Sequence, residues 1–367
     1  MYALKIILGQ PVRFALTVGG IALCIMLMLF LMSIYKGVAD GSVEYVRASN
    51  ADLWVLQQHA TNILRSTSIL TDAKMEKIRE LEGVLSVSPV LFILATVNMP
   101  GGPATIYLTG YEHETGIGGP PELAEGNSLT DHDQIILDRS FALKHNIRIG
   151  DRLPIKKDTL TVVGISRGTN MFVIQYAFIS LEKAHSLLGF SKIASCYQVK
   201  TTPGTDPGIL ADRIKSEVEG LSVFDHPSFL KNNIREMESG LLPLLYTVAF
   251  IGAIVLVAIL SLILSVQVLE RRNEFAILKA IGSPRSFIPF VVLKQALILS
   301  GTGMILSLIL FFPMLQVIEF MSPEVSASSS PQQILMVATG VVFISLLSSI
   351  IPNQRLRHIY PLEVFIK

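Results

Sequence analysis

Four long apolar segments limit what this 367-residue chain can fold into more than any other feature of its sequence. They cover residues 14–35, 241–269, 287–318 and 334–351, and the first holds 22 residues without a charged side chain. A bilayer core about 30 Å thick is crossed by roughly 20 helical residues. The composition agrees, because 50% of the residues are hydrophobic, 16% are charged and the mean hydropathy is +0.53. We therefore expect a membrane α-helical protein with four transmembrane helices. The first is expected to be retained, since it exceeds the apolar core of about 7–15 residues in a cleavable signal peptide.

The positions of lysine and arginine predict the orientation of these spans. Short cytoplasmic loops carry an excess of both residues, whereas long outside domains translocate largely regardless of charge. The short loop over residues 319–333 contains neither residue. Basic residues instead precede the first span, fill the loop after the second and follow the fourth: Lys5, Arg13, Arg271, Arg272, Lys279, Arg285, Arg355, Arg357 and Lys367. Both termini and the loop after the second span are therefore expected in the cytoplasm.

The long region between the first and second spans is expected to form a large α+β extracytoplasmic domain, residues 37–240. Within it, residues 71–81 place apolar side chains along one helical face after a capping threonine. Residues 83–99 and 104–111 predict two strands separated by the turn sequence Pro-Gly-Gly-Pro. Residues 147–165 alternate apolar and polar side chains on either side of Lys-Lys-Asp, which predicts a β-hairpin in a second, β-rich region.

A short charged stretch, ERRNEFAILKAIGSPRSFI over residues 270–288, separates the second and third apolar segments. We expect the second helix to continue without interruption into this stretch and to stop at Gly282, with Ser283 and Pro284 opening the next helix. The apolar side chains of residues 275–281 spread around most of the helical circumference, so a single buried face does not explain them. Two interpretations compete. One is a re-entrant helix against anionic lipid headgroups, and the other is a docking element for a cytosolic protein that moves the spans.

This stretch closely resembles the cytoplasmic segment of bacterial ABC transporter permeases of the macrolide-exporter, lipoprotein-release and cell-division (MacB/LolCE/FtsX-like) superfamily. The usual run there is Glu-Arg-Arg-x-Glu-(Ile/Phe/Tyr)-x-x-Leu-Lys-Ala-(Ile/Leu/Met)-Gly. Residues 3–23, ALKIILGQPVRFALTVGGIAL, resemble the amphipathic start of the family, and residues 360–367, YPLEVFIK, resemble its Pro-x-Glu-Ala ending. Within the superfamily, EFAILKAIG and KQALIL are similar to the branch with the heterocyst glycolipid exporter (DevC-like) and haem exporter permeases.

The resemblance implies a dimer of permeases, with a homodimer expected, in a bacterial cytoplasmic (inner) membrane. Each permease would bind a cytosolic ABC ATPase that holds ATP and Mg, so no cofactor is expected in this chain. It also implies contact with membrane lipid, a periplasmic adaptor protein where the cell has an outer membrane, and an outside region of two subdomains, one mixed α/β and one β-rich. Carried over residue by residue, the ATPase-coupling positions are Glu270, Arg271, Arg272, Glu274, Leu278, Lys279, Ala280 and Gly282.

We expect no enzymatic chemistry in this chain. The sequence contains no Gly-x-x-x-x-Gly-Lys-(Ser/Thr) loop for nucleotide phosphates and no recognisable Ser/His/Asp or Cys/His arrangement. ATP hydrolysis is therefore assigned to a separate ATPase subunit. His113 and His132 lie among acidic residues without a metal-like spacing and are interpreted as solvated loop residues, so no metal site is predicted. The net charge of +1 does not suggest nucleic acid binding.

Lys294 places a charge inside the third apolar segment. It lies about 15 Å beyond the start of that helix as predicted, where a lysine costs roughly 2.5–3.5 kcal/mol unless it is paired or reaches the surface. One interpretation is an intramembrane functional residue. The other is a side chain that extends to the cytoplasmic surface.

Three functions remain open after this reasoning. The first is an export permease for an amphiphile such as a glycolipid, haem or a lipophilic drug. The second is a non-transporting relay of the cell-division type that controls a cell-wall hydrolase, and the third is a four-span sensor. Export leads because the outside domain is larger than such relays usually have.

The predicted boundaries are an amphipathic segment with the first span (1–36), the outside domain (37–240), the second span (241–269), the coupling segment (270–285), the third span (286–318), the fourth span (334–352) and a cytoplasmic tail (353–367).

Overall fold

The structure is a computed structural model. It describes residues 11–63, 66–99, 102–171, 174–284, 286–322 and 329–357. Several expectations therefore fall wholly or partly outside the described residues: the amphipathic start of the chain with Lys5, the turn between residues 99 and 104, Arg285, the loop over residues 319–333, and the cytoplasmic tail with Lys367 and the resemblance at the C-terminal ending.

The chain divides into two compact units. The membrane unit comprises the described parts of Met1–Lys36, Pro243–Val317 and Ala327–Lys367. The sheet unit comprises the described parts of Gly37–Leu242 and Ile318–Ser326.

Helices dominate the membrane unit, and strands dominate the sheet unit. In chain order the elements are α1 (Pro11–Ala48), β1 (Leu53–Gln57), β2 (Leu70–Thr71), α2 (Asp72–Arg79), β3 (Val84–Met99), β4 (Gly102–Tyr111), β5 (Glu122–Gly126), β6 (Gln134–Asp138), α3 (Arg139–His145), β7 (Arg152–Ile155), β8 (Asp158–Arg167), β9 (Gln175–Ser180), α4 (Leu181–Leu188), β10 (Ile193–Ala194), β11 (Cys196–Thr201), α5 (Pro207–Glu217), β12 (Leu221–Asp225), α6 (His226–Glu270), α7 (Arg272–Ala280), α8 (Phe287–Met321), α9 (Pro331–Ser348) and α10 (Ile350–Arg357).

Four of these helical segments are long and apolar enough to cross a membrane, which confirms the predicted four-span class. They are Pro11–Ala48, Pro243–Glu270, Phe287–Met321 and Pro331–Gln354. Their shared core contains Ile25 of α1, Leu260 of α6 and Val292 of α8, each with 0% exposure. A polar contact supplements this packing, because the buried Ser345 Oγ of α9 donates to Ser300 Oγ of α8 at 2.7 Å. Side-chain hydrogen bonds of this kind help hold membrane helices together.

The fourth span begins three residues before the apolar segment that predicted it. Ser330 caps α9, because its hydroxyl accepts a hydrogen bond from the backbone N–H of Gln333 at 3.3 Å. The Gln333 side chain accepts in return from the Ser330 backbone N–H, which completes a capping box. Pro331 fits the first helical position, where its missing N–H costs nothing. Polar residues therefore open this helix, and hydropathy alone does not detect them.

One ten-stranded sheet runs through the sheet unit, in the order β12-β1-β11-β3-β4-β9-β6-β8-β5, with β7 paired to both β3 and β8. The sequence suggested two subdomains, and the structure joins their strands into a single hydrogen-bonded path. The reason is β3, which is 16 residues long. Its first half pairs with β11, its second half pairs with β4, and Val97 near its end pairs with Ile155 of β7. The boundary between the predicted subdomains is therefore not a break in the sheet.

The predicted hairpin around Lys-Lys-Asp is confirmed, and the two strands predicted on either side of Pro-Gly-Gly-Pro pair with each other. Strands β3 and β4 pair without a break from Val90↔Tyr111 to Met99↔Gly102. Strands β7 and β8 pair up to Ile155↔Asp158, so the turn holds two residues, and Lys156 has a φ of 53°. Such a positive φ is typical of the two-residue turns that match the twist of a hairpin.

Helix α3 begins at a buried carboxylate, Asp138, which is 2% exposed. The Asp138 side chain accepts from the backbone N–H of Ser140 at 2.8 Å and from Thr169 Oγ1 at 2.7 Å. Burial raises the pKa of Asp138 above its ordinary value of 3.8, although these hydrogen bonds oppose the shift. The folded state therefore holds the proton more tightly than the unfolded state. Ionisation of this buried carboxyl lowers the free energy of unfolding at neutral pH, and this loss disappears as the pH falls through the raised folded pKa towards 3.8.

Variants of Asp138 separate its capping role from its charge. Asp138→Ala removes the cap and the Thr169 contact, so it should lower the free energy of unfolding by about 1–3 kcal/mol at pH 7. Asp138→Asn keeps a capping oxygen without the charge, so it should be at least as stable as the wild type at pH 7, with an advantage that shrinks towards pH 4. Fluorescence of Trp54 during thermal unfolding reports on this unit, because Trp54 is the chain's single tryptophan and stacks on Phe229 at 4.6 Å. An alanine variant as stable as the wild type would contradict the prediction.

Candidate functional site

The candidate site is the elbow, which we define as residues 270–284 between the second and third spans. Helix α6 ends at Glu270, and Arg271 leaves helical geometry with φ −102° and ψ 20°. The expectation of one uninterrupted helix through this stretch is therefore wrong. Backbone hydrogen bonds nevertheless continue across the change, from Arg271 N–H to Gln267 at 3.2 Å and from Phe275 N–H to Arg271 at 3.0 Å. Helical hydrogen bonding therefore continues across one non-helical residue.

Two side chains of α7 are buried. Phe275 and Ala276 of α7 are 2% and 1% exposed, and both belong to the apolar core of the membrane unit. Fully burying a side chain of this size contributes about 1.5–3 kcal/mol. Leu278 is half-buried and packs against the same core. The first part of α7 is therefore anchored to the spans.

The predicted stop at Gly282 is confirmed, together with its mechanism. Gly282 has a φ of +91°, which side chains other than glycine rarely adopt. Its N–H donates to the carbonyl of Lys279 at 3.1 Å, and the N–H of Ser283 donates to Leu278 at 3.1 Å. These two bonds form the Schellman motif, which satisfies the last carbonyls of a helix.

The next helix does not begin at Pro284, as the sequence had suggested, but at Phe287. Pro289 explains the difference. In a helix that began at Pro284, Pro289 would lie beyond the first turn, where proline removes an intrahelical hydrogen bond and clashes with the preceding turn. With the start at Phe287, Pro289 lies in the first turn, where its missing N–H has no helical partner to lose.

The far part of α7 exposes apolar surface. Ile277 is 46% exposed and Ile281, just after the helix, is 79% exposed. Residues four apart share one helical face, so these two side chains form a single apolar patch. Ala280 beside them is also exposed. Sequence reasoning did not include Ile277 or Ile281 among the coupling residues, because only the structure separates them from the buried Phe275 and Ala276.

Charged side chains of the elbow form ion pairs near this patch. Glu270 pairs with Arg13 at the start of α1, and Arg271 Nη1 lies 3.1 Å from Glu274 Oε2. Arg272 and Glu274 are exposed, and Lys279 is half-buried. The Arg13 contact was not foreseen, although Arg13 belongs to the segment that resembles the start of the family. The structure therefore brings the eight predicted positions into one bend, while their role in coupling stays a prediction.

Lys294 lies on the exposed side of α8. Its ammonium group is 4.5 Å from the ring centroid of Phe290, which lies four residues closer to the start of the helix. The charge is therefore directed towards the end of α8 that adjoins the elbow, as expected of a lysine that extends to the surface. A functional role for Lys294 within the membrane stays a prediction.

The membrane unit also contains an apolar groove of about 820 Å³. It lies between α1, α6 and α9. Met28, Phe250, Ile254, Phe343 and Leu347 are among the residues that line it.

The fold and the elbow define a class of protein: a four-span membrane protein with an extracytoplasmic α/β domain between the first and second spans. A model of the MacB-like periplasmic core domain matches residues 14–217, more than half of the chain, and a model of the FtsX-like permease C-terminal region matches residues 246–361. The chain therefore belongs to the MacB/FtsX-like family of ABC transporter permeases, which confirms the resemblance found in the sequence.

Curated relatives share nearly the whole length. An uncharacterized ABC transporter permease of Mycobacterium tuberculosis (strain ATCC 25618 / H37Rv) is 24% identical over 357 residues, covering 96% of this chain and 95% of that protein. An uncharacterized ABC transporter permease of Mycobacterium bovis (strain ATCC BAA-935 / AF2122/97) is 23% identical over 325 residues, covering 86% and 88%. An ABC transporter permease implies an ATPase subunit as its partner.

Two solved structures are each similar to about half of the chain. The periplasmic region of MacB from Actinobacillus actinomycetemcomitans matches with a TM-score of 0.40 and 14% identity, over 52% of this chain and 95% of that one. The extracellular domain of the noncanonic ABC-type transporter YknZ from Gram-positive bacteria matches with a TM-score of 0.36 and 14% identity, over 48% and 100%.

Proposed function

We propose that this chain is the permease subunit of an ATP-driven exporter of an amphiphilic or lipophilic substrate, and that its elbow receives the movement of a cytosolic ATPase. The family supports the general role. The finer proposal depends on one observation, which is the division of α7 into a buried part and an exposed part.

The two parts of α7 suit a helix that transmits force. Phe275 and Ala276 are fixed in the apolar core of the spans, so α7 cannot move without the helices it packs against. Ile277 and Ile281 present apolar surface to a partner, and a partner that covers them gains the free energy of their burial. A protein that grips this patch therefore moves the spans directly.

The predicted coupling residues have distinct tasks in this proposal. Glu274 lies exposed one turn before Ile277, and Arg272 is exposed at the start of α7, where charged groups select a partner by charge complementarity. Leu278 packs inward, and Gly282 sets the direction in which the chain leaves the patch. Glu270 pairs with Arg13, so the bend is also tied to the start of α1.

The distribution of charges and the family support the remaining assignments. In this proposal the elbow and both termini lie on the cytoplasmic side of a bacterial inner membrane, and the sheet unit lies on the other side. The partner ATPase binds ATP and Mg and performs the hydrolysis. A second copy of this chain completes the transporter, and an extracytoplasmic adaptor joins it where an outer membrane exists.

The apolar groove supports an amphiphilic or lipophilic substrate. About 820 Å³ of groove lined by side chains such as Phe250, Ile254 and Phe343 offers an alkyl or aromatic group an environment without charge. Reconstituted vesicles distinguish export from the relay alternative. An exporter moves an amphiphile across the membrane when ATP is added, whereas a relay hydrolyses ATP without moving it.

Substituting Ile281 tests the proposed contact. Ile281→Glu should weaken association with the ATPase at least about tenfold, because the partner loses apolar contact worth about 1.5–3 kcal/mol and meets a charge instead. The measurement is co-purification of the full chain with each candidate ABC ATPase of the source genome, quantified by titration. Phe190→Glu is the matched control, since Phe190 is 67% exposed but belongs to the sheet unit. Equal ATPase binding by Ile281→Glu and the wild type would overturn the proposed contact.

A further inference from the structure

Two histidines that are 19 positions apart in the sequence lie together at one end of the large sheet. His113 follows β4, and His132 precedes β6. Strand β9 lies between these two strands, parallel to β4 and antiparallel to β6, so the end of β4 and the beginning of β6 meet at the same edge. The ring centroids of the two histidines are 6.0 Å apart, and the rings are nearly perpendicular.

The ends of three neighbouring strands bring the two histidines together beside Glu182. The parallel ladder of β4 and β9 ends at Tyr111↔Ser180, two residues before His113 and Glu182. His132 precedes β6, which runs antiparallel to β9, at the edge where β9 ends. Glu182 itself lies in the first turn of α4, which begins directly after β9. The strand topology therefore places all three residues at one edge of the sheet.

Glu182 orients one of the imidazoles. Its Oε2 lies 2.9 Å from Nδ1 of His132, and Ser180 Oγ lies 3.3 Å from the same nitrogen. A carboxylate on one ring nitrogen fixes the tautomer and leaves the lone pair on the other nitrogen, Nε2. This arrangement is the usual support of a metal-ligating histidine.

From this geometry we infer a binding site for a divalent transition-metal ion of the Zn²⁺ or Cu²⁺ type, held by the imidazoles of His113 and His132, with Glu182 as the positioning carboxylate. Imidazole nitrogens favour such ions, whereas Mg²⁺ and Ca²⁺ favour oxygen ligands. Nitrogens about 2.0–2.1 Å from a shared ion put two ring centroids roughly 5–6 Å apart, depending on the angle at the metal. The observed separation of 6.0 Å lies at the upper end of this range, so a small rotation of the two side chains brings both rings to one ion.

The site has two protein ligands and open positions. Among the described residues, no group of three or more His, Cys, Asp or Glu is arranged to hold a metal ion, so water or a ligand from another molecule completes the coordination. The nearby cation, Lys183, does not repel the ion as a free charge, because its ammonium group pairs with Asp133 at 2.6 Å and with Asp158 at 3.1 Å. His132 is 53% exposed, so the ion reaches the site from solvent.

Calorimetric titration with Zn²⁺ and with Cu²⁺ tests this site on the full chain without a histidine tag. The wild type should bind one ion per chain, and His113→Gln and His132→Gln should each bind at least about tenfold more weakly. Glu182→Gln should weaken binding by about tenfold, since losses of 10–100-fold are typical when a supporting carboxylate is removed. The electron paramagnetic resonance spectrum of bound Cu²⁺ should show two nitrogen ligands.

His59→Asn is the control. His59 is an exposed histidine of the same unit with a φ of 72°, a conformation that asparagine tolerates, so this variant removes an imidazole without straining the turn. It should bind metal like the wild type. Unchanged affinity in either the His113 or the His132 variant, or an equal loss in His59→Asn, would overturn the assignment. Unfolding curves without metal verify that each variant is folded.

Discussion

Replacing Gly282 with proline should sharply reduce the ATP hydrolysis that depends on coupling between this chain and its ATPase. Gly282 has a φ of +91°, and proline is restricted to about −65°. Proline also lacks the N–H that Gly282 donates to Lys279. The substitution therefore redirects the chain just after the exposed patch of α7. We expect coupled ATPase activity in reconstituted vesicles to fall at least about tenfold.

A graded series at the same position separates backbone geometry from side-chain size. A β-carbon at Gly282 would meet nothing within 4 Å, so only the positive φ penalises substitution. Asparagine tolerates this conformation and should retain most activity, whereas alanine should be intermediate, at a cost of about 1–2 kcal/mol. Gly301→Ala is the control, because Gly301 lies within helix α8 and also has no neighbour within 4 Å. Full activity in the proline variant would contradict the role given to the elbow.

Replacing Gly303 with leucine should cause the largest loss of stability in the membrane unit. A β-carbon at Gly303 of α8 would lie 2.5 Å from Cγ2 of Ile21 on α1, and Ile21 is completely buried. A branched side chain in a packed core cannot move aside, so helices α1 and α8 must separate. We expect the free energy of unfolding to fall by about 3 kcal/mol.

Heating in the presence of a thiol-reactive dye measures this effect, because Cys24 is half-buried in α1 and packs against the same core. A Cys196→Ala background confines the signal to Cys24. Gly301→Leu is the matched control, since Gly301 is exposed on the same helix. Ile21→Ala should partly restore the stability of Gly303→Leu, because residues in contact give non-additive effects. Equal unfolding temperatures for Gly303→Leu and Gly301→Leu would contradict the predicted contact between α1 and α8.

The general architecture could be predicted from the sequence because it depends on length and hydropathy. Uncharged runs of about 20 residues have few alternatives to crossing a membrane. Both hairpins were predictable as well, since turn residues lie between alternating strands. Gly282 was predictable as a helix stop for the same local reason, because few other residues adopt a positive φ.

Features that depend on distant contacts could not be predicted in this way. The burial of Phe275 and Ala276 takes place in a core that other helices supply. The single sheet results from the length and pairing of β3, which joins the strands of the two expected subdomains. The same limit applies to His113 and His132, whose sequence spacing resembles no metal motif although the ends of neighbouring strands bring them together.

The position of the candidate site in the chain was predictable from the sequence. Which of its apolar side chains are exposed was not. Resemblance placed the coupling residues in the stretch that the structure shows to be the elbow. It could not separate the buried Phe275 from the exposed Ile281, since both are apolar and only packing distinguishes them. Likewise, the partner of Glu270 is Arg13, 257 positions away, which no local pattern reveals.

The central claim is that the exposed patch of α7 lies in the cytoplasm and is covered by the ATPase. The most direct measurement is labelling of Ile281→Cys, in a Cys24→Ala and Cys196→Ala background, with a membrane-impermeant maleimide. We predict labelling in inverted membrane vesicles but not in intact cells, with protection when the ATPase is bound, whereas Phe190→Cys should label in intact cells. Labelling of Ile281→Cys in intact cells, or no protection by any candidate ATPase, would contradict the account.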